Sequence, residues 1–251
     1  MSDEEPEPGS HEFSSGQGLD EDYDEFSLDP EELNADPSKV DPVDTRVITD
    51  MLDERNIAKD QVDIDSLLDV GLSYMGINRF EAATETFGRA AQFAEDDSLD
   101  EQEAWVNKGA AHAQLEEWDE AIGAYEEAIR IDDSSEHAAS AETNLAYALH
   151  KSGRTEQALE HAERAVEADP RSPQAWYNRG FFLVERGLLE DAVNAFDNAI
   201  RLGMRNAEVL EEKARALDEL GKVEEAEEVA EEAEELRQQA EAEMVEEYGE
   251  R

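Results

Sequence analysis

Five alanines stand in one register, Ala83, Ala121, Ala158, Ala192 and Ala226, separated by 38, 37, 34 and 34 residues. Seven residues after each comes another alanine: Ala90, Ala128, Ala165, Ala199 and Ala233. Between the two, four residues after the first, fall Phe87, Tyr125, Ala162, Phe196 and Ala230. Twelve residues ahead of each first alanine is a small residue, Gly71, Gly109, Ala146, Gly180 or Ala214, and four before that Leu67, Trp105, Glu142, Trp176 or Leu210. A single match to this pattern would mean little; five in register mark a repeat array.

Offsets of three, four and seven keep side chains on one helical face. Each unit therefore reads as two amphipathic helices joined by about a turn, at Gly76–Asn78, Leu115–Glu117, Ser152–Gly153, Arg186–Gly187 and Leu220–Gly221. Glycine or alanine on the first helix lets the second approach closely, and Phe87, Tyr125 and Phe196 fill the space between neighbours. One such hairpin cannot bury its own apolar face, so the units must stack. The longer spacing after the first two units is expected to fall in Glu95–Glu101 and Asp132–His137, polar stretches where loop growth costs little.

The array is expected to span 64–237, as units 64–97, 102–135, 139–172, 173–206 and 207–237. Residues 1–42 are dense in carboxylates, hold five of the seven prolines and have Lys39 as their one Lys or Arg. So little apolar surface predicts a disordered acidic tail. Across 43–63, Val47, Ile48, Met51 and Leu52 share a helical face behind an Asp44 cap, which predicts a short helix covering the first unit. Beyond the fifth unit, Val223 to about Glu247 has no proline and no glycine, which predicts a long final helix with 238–251 as its extension and tail. That helix is expected to cap the array, leaving a monomer; dimerisation through it is the alternative.

Charge narrows the possible partners. With 21 Lys and Arg against 68 Asp and Glu, the net charge is −47. Nucleic acid and anionic membranes are expected to be excluded, because phosphate binding needs clustered cations. No apolar run reaches the roughly 18–20 residues of a membrane span, and Met1–Ser10 has neither a basic start nor an apolar core, so a cytoplasmic location is expected. Cysteine is absent, which removes thiolate catalysis and zinc–thiolate sites. An acidic excess with only six lysines resembles the proteins of halophiles and points to a halophilic archaeon as the source.

Trp105–x–x–Lys108–Gly109 with Ala121 and Tyr125, and Trp176–x–x–Arg179–Gly180 with Ala192 and Phe196, resemble tetratricopeptide repeats, as does Pro170 closing the third unit. Glu142 and Leu149 stand where this family usually has large aromatics. The resemblance implies an all-α, right-handed superhelix and a binding scaffold.

No chemistry competes with that expectation. The histidines have no metal-ligand spacing. Asp20, Asp22, Asp24 and Glu31 have the spacing of a calcium loop, but Glu25 replaces its glycine. Neither a glycine-rich phosphate loop nor a nucleophile elbow is present. No enzyme activity, metal or cofactor is expected.

In the repeats this chain resembles, the slot two residues past Trp105, Glu142 or Trp176 lines the concave groove; here it holds Asn107, Asn144 and Asn178. A carboxamide offers a donor and an acceptor, matching a peptide unit. Val106, Ala110, Tyr147, Tyr177, Phe181 and Val184 are the expected apolar and aromatic lining beside them. The expected ligand is a protein or peptide segment with an apolar centre.

Overall fold

The computed structural model describes residues 62–249, with side chains described as far as Ala242. The expected tail, nearly all of the 43–63 helix and the aspartates of the calcium-like spacing lie outside the described residues. Ten α-helices and no strand are present among the described residues: α1 (Ile64–Gly76), α2 (Phe80–Phe93), α3 (Leu99–Gln114), α4 (Trp118–Ile131), α5 (Glu136–Lys151), α6 (Thr155–Ala168), α7 (Pro173–Glu185), α8 (Leu189–Arg201), α9 (Ala207–Glu219) and α10 (Val223–Gly249). They pair as five hairpins stacked into an all-α solenoid.

Local sequence explains where each hairpin starts and turns. Every odd-numbered helix has a side-chain cap: Asp63, Ser98, Ser135, Ser172 and Asn206 each accept a hydrogen bond from the backbone N–H three residues on. Every hairpin turn is three residues long, and its middle residue has positive φ: Asn78 57°, Glu116 60°, Gly153 83°, Gly187 71° and Gly221 77°. The N–H of the following residue then reaches back to the last helical turn, as from Arg79 to Tyr74 O at 2.9 Å and from Arg154 to Leu149 O at 2.8 Å. This is the left-handed termination that glycine favours.

Packing between paired helices follows a size rule. A Cβ placed on Gly109 would lie 2.6 Å from Tyr125 Cε1, and one on Gly180 2.7 Å from Phe196 Cε1; Gly71 meets Phe87 in the same way. Where the second helix carries alanine instead, at Ala162 and Ala230, the first carries alanine too, at Ala146 and Ala214. Each ring is thus seated against bare backbone. Phe87 and Phe196 are fully buried as a result.

Each helix packs chiefly on its neighbours in sequence, and α1, α3, α5, α7 and α9 also touch one another in series. Even-numbered helices make no comparable mutual contact among the described residues. The odd-numbered helices therefore form the tighter, inner wall and the even-numbered ones the outer wall.

The longer spacing of the first units is not loop growth. Helices α3 and α5 have 16 residues each, against 13 in α7, so the extra residues form one more helical turn at their N-termini. The caps Ser98 and Ser135 draw the helix starts back, and Gln102 fixes the added turn. Its Nε2 donates to Ala128 O (2.7 Å) and Asp132 O (2.6 Å), while its Oε1 accepts from Ser135 Oγ at 2.6 Å. Gln102 is completely buried, with each of these bonds tying α3 to the end of α4 or the start of α5.

The departures in the third unit also have a physical account. Glu142, buried among apolar neighbours, meets Nδ1 of His161 on α6 through its Oε2 at 2.6 Å, and Leu149 is in the core. At the far end, α10 repeats the pattern of α8 with its apolar contacts deleted. Val193, Phe196 and Ile200 of α8 become Glu227, Ala230 and Glu234, all exposed. Ala226 and Ala233, on the face toward α9, remain buried.

Candidate functional site: the inner groove

The inner wall is built from one helical stripe per unit. In α5 the stripe is Ser140, Asn144, Tyr147 and Lys151, at offsets of four, three and four; in α7 it is Gln174, Asn178 and Phe181. Two cavities open on it. One of about 480 Å³ is lined by Ala110, Asn144, Tyr147, Lys151, Gln174 and Asn178, among others. A second of about 780 Å³ is lined by Ser135, Ser140, Asn144, Arg171 and Gln174 with their neighbours. Asn144 and Gln174 belong to both, so the two cavities form one continuous groove across α3, α5 and α7.

Tyr147 is the most prominent side chain in it. It is 45% exposed, large for an aromatic. Trp118 meets it edge-on, with ring centroids 6.1 Å apart, and Lys151 Nζ sits 5.3 Å from its centroid. Those two contacts fix the ring without covering it. Lys151 is exposed and has no carboxylate within ion-pair distance among the described residues.

The three asparagines differ. Asn144 is half-buried and faces the groove. Asn178 also borders it, but is only 5% exposed: its Nδ2 donates to Thr143 O on α5 at 3.1 Å, and its Oδ1 accepts from Gln174 Nε2 at 3.0 Å. Its carboxamide clamps α7 to α5. Asn107 is half-buried and lines neither cavity.

Among the expected apolar slots, Ala110 and Tyr147 line the groove. Val106 and Val184, 8% and 6% exposed, belong to the core instead. The reason is periodicity. Val106 precedes Gly109 by three residues and Val184 follows Gly180 by four, which puts both on the glycine's own face, against the paired helix. Tyr177 shares that face, and its hydroxyl donates to Glu208 Oε1 of α9 at 2.8 Å. Phe181 is half-buried, edge-on to His150 at 5.1 Å, with the Arg215 guanidinium 5.8 Å from its centroid.

Sequence reasoning missed Gln174 and Trp118. Gln174 lies four residues before Asn178 on the same stripe, so the spacing that picked out Asn178 also points to it. Trp118 opens α4 and leaves no trace in the spacing of the inner helices.

Among the described residues no group of three or more His, Asp or Glu is placed to hold a metal ion, and no helix is long and apolar enough to cross a membrane.

Stacked helix hairpins with a groove along their inner wall define the class of α-solenoid repeat proteins. Three models of the tetratricopeptide repeat match residues 100–171, 149–201 and 183–241. Together they cover more than half of the chain, which belongs to the tetratricopeptide-repeat family.

No curated protein matches the sequence. Solved structures share the fold. MamA (residue 41 to its end) from Desulfovibrio magneticus RS-1 aligns with TM-score 0.60 at 18% identity, covering 70% of this chain and 96% of its own. Another crystal structure of MamA gives 0.59 at 17%, over 68% of this chain and 96% of the other. YrrB, described as a tetratricopeptide-repeat protein with an unusual peptide-binding site, gives 0.57 at 19%, over 75% of this chain and 91% of its own. At such identities the likeness is one of fold.

Proposed function

We propose that this chain is a non-catalytic scaffold that holds a segment of a partner protein, extended or helical, along its inner groove. The observation that carries this reading is Tyr147: an aromatic ring fixed by Trp118 and Lys151, open to solvent, in the middle of a groove edged by the carboxamides of Asn144 and Gln174. Rigid aromatic side chains are efficient binding anchors, and amides match the peptide backbone they would meet. The peptide-binding site named for YrrB, on a similar array, agrees with it.

The test is capture of a partner by the full chain at high salt, followed by direct titration of the captured protein. Tyr147→Ala with Asn144→Ala removes two exposed or half-buried groove groups that belong to neither core cluster, and is expected to weaken the titrated affinity at least tenfold with unchanged helicity. Equal affinity would refute the reading. Asn178→Ala serves as a contrast: it removes the bond that ties α7 to Thr143 O on α5 and is expected to lower stability by about 0.5–1.5 kcal/mol.

The shape of α10 supports a cap in preference to a dimerisation surface. Glu227 and Glu234 stand where α8 places Val193 and Ile200, so the outward face of the last hairpin is solvated.

A further inference from the structure

Carboxylates cover this chain, 68 among 251 residues, yet they are distributed unevenly along the inner wall. The inner stripe of the third unit, Ser140, Asn144, Tyr147 and Lys151, contains none. In the first unit the same stripe begins with Asp65 and Asp69, both exposed; in the fifth it holds Glu208, Glu212 and Glu219 around the single cation Arg215. The second and fourth units carry one carboxylate each on this stripe, Glu103 and Glu185. The stripe is thus most acidic at its ends and least so at the third unit, where Glu116 from the α3–α4 turn shares a cavity with Lys151 and where Glu136, Asp169 and Arg171 line the second cavity.

At the C-terminal end like charges crowd around one cation. Arg215 is shared between Glu185 at 3.6 Å and Glu212 at 2.7 Å. Glu212 is still held above the usual carboxylate range, first by burial and further by Glu185, Glu208 and Glu219, with Arg215 opposing. One guanidinium does not neutralise four carboxylates. A second cation arriving from outside would.

Resting on the groove reading, we propose that the cargo is an extended segment with cationic groups at both ends and an uncharged, apolar middle that lies against Tyr147. Its length follows from the helix spacing. Five inner helices about 8–10 Å apart span about 32–40 Å, which an extended chain at about 3.3 Å per residue covers with about 10–12 residues. A lysine or arginine at each end meets the carboxylates of the first and fifth units. A cation set against Tyr147 meets Lys151, whose Nζ lies 5.3 Å from the same ring with no carboxylate within ion-pair distance among the described residues, Glu116 on the same cavity included. The same polarity excludes acidic segments. Electrostatic complementarity of this kind sets register as well as partner choice.

The test uses the full-length protein and three fluorescent synthetic peptides of about a dozen residues, followed by anisotropy at about 0.15 M salt, where surface charges still act over about 8 Å. The first has two lysines at each end around a Leu/Phe/Ala centre. The second has the same composition with the four lysines in the middle. The third replaces the terminal lysines by glutamates. The first is expected to bind at least tenfold tighter than the second and more tightly still than the third. Tyr147→Ala should weaken it at least tenfold, and Lys151→Glu should bring the second peptide to within threefold of the first.

Equal binding of the first two peptides would overturn the inference, since indiscriminate attraction to an acidic protein depends on composition and not on order. If order has no effect while Tyr147→Ala still weakens both, the groove reading stands and the charge inference fails. If neither substitution changes the binding of any peptide, both fail.

Discussion

Gly180 and Phe196 provide the sharpest test of how this array is packed. Replacing Gly180 by alanine adds one methyl, placed 2.7 Å from Phe196 Cε1, 2.9 Å from Cδ1 and 3.1 Å from Cζ. Contacts under 3 Å force something to move, and Phe196, fully buried, has nowhere to go. Overpacking of this sort costs about 1–3 kcal/mol, while alanine in mid-helix gains about 1 kcal/mol over glycine. The net effect of Gly180→Ala in the native chain is a loss of about 0–2 kcal/mol. Phe196→Ala alone costs about 3–5 kcal/mol, mostly cavity and lost burial. In that background the ring is gone, the clash with it, and the helix gain remains, so Gly180→Ala should stabilise by about 1 kcal/mol. The double variant has the pairing already found at Ala146 with Ala162 and Ala214 with Ala230. Urea denaturation of the four proteins in molar salt, followed by far-ultraviolet circular dichroism, gives the cycle, and a coupling of about 1–3 kcal/mol with reversal of sign is expected. The same effect of Gly180→Ala in both backgrounds would show that the ring and the missing side chain are independent, and the size rule would fall.

Glu116 adopts φ 60° where three other hairpin turns use glycine, so Glu116→Gly should raise stability by about 0.5–1 kcal/mol in the same denaturation assay. Gln102→Ala leaves Ala128 O, Asp132 O and Ser135 Oγ without their partner and should cost about 2–3 kcal/mol, read as a fall in the urea midpoint. Burial against Phe181 and Phe182 pushes the His150 imidazole below its usual range, with Glu185 opposing and Lys151 adding to the shift. The unfolded chain then takes up the proton first, so His150 lowers stability as pH falls through the usual histidine range of about 6.5. His150→Phe should flatten that slope relative to the native chain, and an unchanged difference between pH 7.5 and pH 5.5 would count against it. With a net charge of −47, dialysis from molar salt into dilute buffer should reduce helicity progressively as screening is lost.

What the sequence revealed was whatever is decided within a turn or two of helix. The frame alanines, the glycine opposite each ring and the hairpin turns at 76–78, 115–117, 152–153, 186–187 and 220–221 follow from offsets of three, four and seven and from left-handed terminations. The added turns of α3 and α5 are indistinguishable from loops in the sequence, because polar residues such as Asp100 and Glu136 suit either state. Gln102, which decides the matter, bonds to groups 26 to 33 residues away and has no local signature. Glu142 looked like a defect until His161, 19 residues on, supplied its partner. Among the groove residues, Asn144 and Asn178 occupy equivalent slots, and only the position of Thr143 O on the neighbouring helix separates a free carboxamide from a committed one. Val106 and Val184 could have been assigned to the core by following the glycine stripe.

A stack of similar hairpins has no intrinsic stopping point, because the surface that receives one unit reappears on the next. Copies meeting head to tail through such surfaces would lengthen into open filaments and never close into rings. Glu227 and Glu234, placed where α8 carries Val193 and Ile200, leave the last such surface without the apolar side chains on which a further unit would pack. Two carboxylates on the last hairpin would thus oppose a polymer growth that the repeat, by its own geometry, does not limit.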